Sequence, residues 1–156
     1  MPAQKDVALP VRTAYQSLLE GTAALTALLG QFEGLEKIFS TVPPGCDYPY
    51  IYYAGYTSNN LPTNKLVYGN DVTMTVTIVT KFSNETGGQR EADLIANEVI
   101  GVITPEERQN PIDLSADELQ CMSSTLELDN TFMKTNSTGK TMNRVLRFRH
   151  TIFQGT

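Results

Sequence analysis

Val72-Thr73-Met74-Thr75-Val76-Thr77-Ile78-Val79 alternates apolar and threonine side chains without a break. Successive side chains of a strand point to opposite faces. Val72, Met74, Val76 and Ile78 therefore share one face, and Thr73, Thr75 and Thr77 the other. One face suits a core; the second suits solvent or a neighbouring subunit. After Asn84-Glu85-Thr86-Gly87-Gly88 the period changes. Ala92, Ile95, Ala96, Val99, Val102 and Ile103 recur at helical spacing, with Arg90, Asp93, Asn97 and Glu98 largely off that stripe. Thr86 and Gln89 stand at capping-box spacing, and Pro105 stops the helix.

Upstream, Val11, Tyr15, Leu18 and Leu19 form a helical stripe that Glu20-Gly21 interrupts. Thr22 is placed to cap a second short helix carrying Leu25, Leu28 and Leu29, which Gly30 can end. The spacing leaves open one bent helix or two. Residues 1–10, with Pro2 and Pro10, read as a flexible arm. Lys37–Val42 reads as a short strand stopped by Pro43-Pro44-Gly45. Tyr48–Tyr56 reads as a second strand, which Pro49 confines to an edge or a strand start. Residues 57–69 read as an extended polar loop.

Downstream, 104–118 is a linker holding Pro105 and Pro111. Gln120–Asp129 is a strand with Met122, Leu126 and Leu128 expected inward. Residues 130–140 are a polar connection tipped by Asn136-Ser137-Thr138-Gly139. Asn143–Phe153 is the last strand, with Leu146, Phe148 and Ile152 on one face and Arg147 and Arg149 on the other. Together these elements predict a single α+β domain over 1–156. Its mainly antiparallel sheet has about four strands, with two helices on one face and a long-tipped C-terminal hairpin.

The composition narrows the function. Hydrophobic residues make up 40% and charged residues 19%, a globular balance. Asp and Glu outnumber Lys and Arg, 17 to 12, for a net charge of -5, which argues against a grip on nucleic acid phosphates. No apolar run reaches the roughly 20 residues of a membrane span, and Met1-Pro2-Ala3-Gln4-Lys5-Asp6 lacks the apolar core of a signal peptide. Synthesis in the cytoplasm is the expectation. There Cys46 and Cys121 are thiols, and the triplets Asn84-Glu85-Thr86 and Asn136-Ser137-Thr138 carry no glycan.

The catalytic lookalikes fail on spacing or context. Thr138-Gly139-Lys140-Thr141 resembles the end of a phosphate-binding loop, but Lys134 stands where that loop needs its first glycine, and a strand follows instead of a helix. His150, the one histidine, shares a face with Phe148 and Ile152, which suits a packed imidazole better than a base. Glu106-Glu107 and Asp117-Glu118 lie in a polar linker and read as solvated surface. No ligand cluster has metal spacing. The expectation is a non-enzyme with no cofactor and no metal.

Interfaces fare better. Tyr48, Tyr50, Tyr52, Tyr53 and Tyr56 crowd one strand, and tyrosine joins apolar area to a polar tip. Alternation puts Tyr48, Tyr50 and Tyr52 on one face and Ile51 and Tyr53 on the other. Arg147 and Arg149, with Arg144 nearby, make a basic stripe. They either pair with Glu127 and Asp129 of the neighbouring strand or hold an acidic partner. The candidate subunit interface is Tyr50, Tyr52, Tyr53, Thr73, Thr75, Thr77, Arg147 and Arg149. The loops offer Asn59, Asn60, Lys65, Tyr68, Lys134, Asn136 and Lys140 as contacts to a further partner.

The order of these segments resembles a family. Thr22-Ala23-Ala24-Leu25-Thr26-Ala27-Leu28-Leu29-Gly30 is followed by Lys37-Ile38-Phe39, then Val42-Pro43-Pro44-Gly45 running into Tyr48-Pro49-Tyr50-Ile51. The alternating strand and the helix Glu91–Ile100 complete the pattern. This is similar to the tail terminator or tail completion proteins of long-tailed bacteriophages, over about residues 11–103. The 104–118 linker matches no family pattern. The resemblance implies a virion protein forming a ring, usually a hexamer, at the head-proximal end of the tail. Such a ring stops tail-tube polymerisation, meets the tail tube protein and the head connector, and lets DNA pass through its lumen without specific binding. It implies no catalytic residues. A head-closure or adaptor ring and a small-ligand-binding α+β domain are the alternative readings.

Overall fold

A computed structural model describes residues 3–61, 68–81, 89–105, 112–136 and 139–154. The chain runs α1 (Ala8–Glu20), α2 (Ala23–Leu29), the two-residue strands β1 (Gln31–Phe32), β2 (Leu35–Glu36) and β3 (Ile38–Phe39), and then β4 (Tyr50–Asn60) and β5 (Gly69–Lys81). The helix α3 (Gln89–Ile103), a 3-10 turn at Ser115–Asp117, β6 (Leu119–Asn136) and β7 (Gly139–Gln154) complete it. β1 and β2 form a small hairpin; the main sheet has the order β3-β4-β5-β7-β6. Every pairing in the main sheet is antiparallel except β3 with β4.

The α+β class holds, with a fifth, two-residue parallel strand. The N-terminal stripe becomes two helices, so among the described residues three helices cover the sheet. The break falls at Gly21, where an added Cβ would sit 3.1 Å from the Ser17 carbonyl oxygen. Thr22 precedes α2, but its hydroxyl donates back to the Leu18 carbonyl at 3.0 Å instead of capping. Thr86, the expected cap of α3, lies outside the described residues. Pro10 falls in the first turn of α1, where its missing N–H costs nothing.

Burial follows the alternation. Val72, Met74, Val76 and Ile78 are wholly buried, as are Ile51, Leu146 and Phe148 beside them. Val11, Tyr15 and Leu19 of α1, Leu25 and Leu29 of α2, and Ala92, Ile95, Ala96, Val99 and Ile103 of α3 close the same core from one side.

The structure departs from the sequence expectation at the strand ends. β4 runs through Thr57–Asn60, and β6 through Thr131–Asn136, so much of both expected loops is ladder. Residues 62–67 and 137–138 lie outside the described residues. The arm is pinned: Gln154 accepts from the Lys5 backbone N–H at 3.1 Å and donates to the Ala3 carbonyl at 2.9 Å.

Met122, Leu126 and Leu128 are not buried, although Leu126 shares the face of Phe148. They are 55%, 37% and 41% exposed, joined by Phe132 and Met133. Two causes act. β6 is an outer strand that the helices do not cover. Register shifts between Cys121 and Ser123, and between Leu126 and Leu128, also insert an extra residue each time, so Leu126 and Leu128 fall on opposite faces.

Candidate assembly interface

The sheet face away from the helices carries the expected arginine and threonine stripes side by side. β5 and β7 are in register, with Thr73 opposite Arg149, Thr75 opposite Arg147 and Thr77 opposite Val145. On the other flank of β5, Thr77 faces Tyr52 and Thr73 faces Thr57, whose hydroxyl bonds Thr73 Oγ1. The threonines form a floor between longer side chains. Thr73 and Thr77 are buried as a result, and Thr75 half-buried.

The arginines are committed within the chain. Glu127 takes Arg147 Nε at 2.7 Å on one oxygen and Arg149 Nη2 at 2.6 Å on the other. Arg149 also stands 3.6 Å from Asp71. Asp129, expected to share these arginines, pairs instead with Arg144 on the helix side, at 2.7 Å, and Arg144 reaches Asp93 of α3 as well. The hydrogen bond and charge of Asp129 hold the guanidinium of Arg144 above its ordinary range.

The tyrosines divide as alternation requires. Tyr50 and Tyr52 lie on the outer face, half-buried, and Tyr48 stacks on Tyr50 with ring centroids 5.5 Å apart. Tyr53 is a core residue, 6% exposed, stacked near Tyr15 and donating to Gln16 Oε1 at 2.6 Å, so it leaves the interface set. Asn59, Asn60, Lys134 and Lys140 are exposed strand residues, and Tyr68 is half-buried. Asn60 accepts from Gln4 and from Asn70. Lys65 and the Asn136 side chain lie outside the described residues.

His150 is fully buried and lies in a polar network that the sequence did not announce. Its Nε2 bonds the Tyr15 hydroxyl, and its Nδ1 lies 2.8 Å from Ser124 Oγ, itself 3.6 Å from Cys121 Sγ. Burial lowers its pKa from 6.5 to about 4. Burial also raises the Tyr15 hydroxyl well above its ordinary value, and the Cys121 thiol too. A base needs a pKa near the working pH and an open path to substrate; this imidazole has neither. Tyr15 and His150 are 135 positions apart, so no spacing rule could pair them.

Among the described residues no group of three or more His, Cys, Asp or Glu could hold a metal, and no helix is long and apolar enough to cross a membrane. An open groove of about 510 Å³ runs between α1 and the 3-10 turn, lined by Leu9, Thr13, Ser17, Asp113 and Asp117 among others. It gathers no buried charge or nucleophile.

The outer face carries ladders, ion pairs and stacked rings, and comparison gives it a context. The profile of the tail completion protein gp17 family matches residues 13–152. The chain belongs to that family. It is therefore a structural protein of a phage tail, a component of the virion, in a family that is not one of enzymes. No curated protein matches its sequence. Among solved structures, a chain from the virion of a native gene transfer agent particle is similar in fold, with a TM-score of 0.68 and 16% identity, covering 96% of this chain and 98% of that one.

Proposed function

We propose that this tail completion protein forms a homo-oligomeric ring, a hexamer, at the head-proximal end of the tail. The ring stops polymerisation of the tail tube and offers the surface to which the head connector attaches. Family membership across residues 13–152 carries the reading. The fold supports it: one sheet backed by three helices among the described residues, with an outer face whose arginines are already paired. DNA passes through the lumen without specific binding, consistent with a net charge of -5. Asn59, Asn60, Lys65, Tyr68, Lys134, Asn136 and Lys140 are the proposed contacts to tube and connector.

The test is deletion of the gene followed by imaging of the lysate. Overlong or headless tails support a terminator. Full heads that leak DNA beside tails of normal length would instead assign a head-closure ring.

A further inference from the structure

We propose that successive copies in the ring join by sheet continuation, β6 of one copy pairing antiparallel with the free edge of β4 in the next. This rests on the ring reading above and names its interface. β6 is an 18-residue edge strand; natural sheets blunt such edges with charge, proline, bulges or cover, and of these β6 has two bulges and Lys134. It nonetheless exposes Met122, Leu126, Leu128, Phe132 and Met133. Its acids do not guard it, because Glu127 and Asp129 are turned back onto the arginines of β7. The strand is long, exposes five apolar side chains and has both of its acids paired within the chain.

The second free edge belongs to the same sheet. β3 covers β4 only at Ile51 and Tyr52, which leaves Tyr53–Asn60 without a strand neighbour on that side among the described residues. Three features make the two edges fit. First, direction: β4 and β7 run one way, β5 and β6 the other, so copies related by a ring axis along the strands bring β6 against β4 antiparallel. Second, level: following the ladder across the sheet, Asn60 pairs Asn70, which pairs Ile152, which pairs Cys121; Tyr53 leads likewise through Val76 and Leu146 to Asp129. The free part of β4 therefore stands level with Cys121–Asp129 and needs no stagger. Third, surface: Leu128 shares its face and level with Ala54, while Phe132 shares its face and level with Tyr50, beside which Phe39 of β3 lies half-buried. A heterologous contact of this kind closes into a ring when its rotation divides a full turn.

The experiment uses the full chain carrying Leu128→Lys and Phe132→Lys together. Both side chains are exposed, so circular dichroism should match the parent. Mass in solution should fall from the ring to the 17.2 kDa monomer. A ring of unchanged mass overturns the edge assignment and leaves the ring reading standing. A parent chain that stays monomeric, alone and on tail-tube ends, overturns both. Direction is read by a flexible bismaleimide on a Cys46→Ser, Cys121→Ala background. Asn59→Cys with Ser123→Cys in one chain should give a ladder of multimers, and Ser123→Cys alone should give none. A dimer from Ser123→Cys alone means two β6 edges meet across a two-fold axis, which overturns the proposal.

Discussion

Acidification should weaken this protein through one side chain, and the amount can be worked out. His150 has a folded pKa of about 4 against 6.5 for an open imidazole, because burial disfavours the charged ring. The folded pKa is the lower, so the unfolded chain binds the proton more readily. Stability is then full above the unfolded value and drains as pH falls from 6.5 toward 4. Linkage gives a loss of about 2 kcal/mol between about pH 7 and pH 5, rising to about 3 kcal/mol once both states are protonated. Asp113 and Glu118, held below the usual carboxylate range by Ser115 and Lys5, lose their contribution only at lower pH. The assay is urea unfolding at the two pH values for the parent and for His150→Gln, which cannot titrate. The parent should lose about 2 kcal/mol more than the variant over that interval. Equal losses would refute the reasoning, because they would mean that the imidazole takes up no extra proton on unfolding.

Other substitutions test the frame. Phe148→Ala empties a fully buried site under the helices and should cost about 3–5 kcal/mol in chemical denaturation. Gly55 has φ +72 at the β4 bulge, where a Cβ would meet Thr75 Oγ1 at 3.0 Å; Gly55→Ala should cost on the order of 1–3 kcal/mol, and an unchanged denaturation midpoint would deny the strain. Arg144→Met removes the link from α3 to β6 and leaves Asp93 and Asp129 without it, costing about 1 kcal/mol in low salt and less in high salt, since both acids are partly exposed.

Much of the frame was legible because local pattern and final burial agree there. The alternation of Val72–Val79 and the stripe of α3 each point their apolar side into the core. Tyr50 and Tyr52 separate from Tyr53 as strand parity demands. β6 was misread because alternation reports which side chains share a face, not whether anything covers that face. Its two bulges also change parity inside the strand, which composition does not signal. The partners of Arg147 and Arg149 were half legible: Glu127 is a cross-strand neighbour, whereas Asp71 comes from the opposite flank through a register that only the folded sheet defines. The bond from Tyr15 to His150 escaped for the same reason.

The order β3-β4-β5-β7-β6 places β7, the last of the described strands along the sequence, between β5 and β6. During synthesis β4 and β5 can pair early, but the core they face lacks Leu146, Phe148 and Ile152 until the ribosome has released β7. Until then β5 shows an open, apolar edge in a crowded cell. Pairings so distant in sequence form slowly and leave such edges exposed to aggregation. This protein should therefore complete its fold only after β7 has left the ribosome, and shortened products that stop before β7 should collect as insoluble material while the full chain stays in solution.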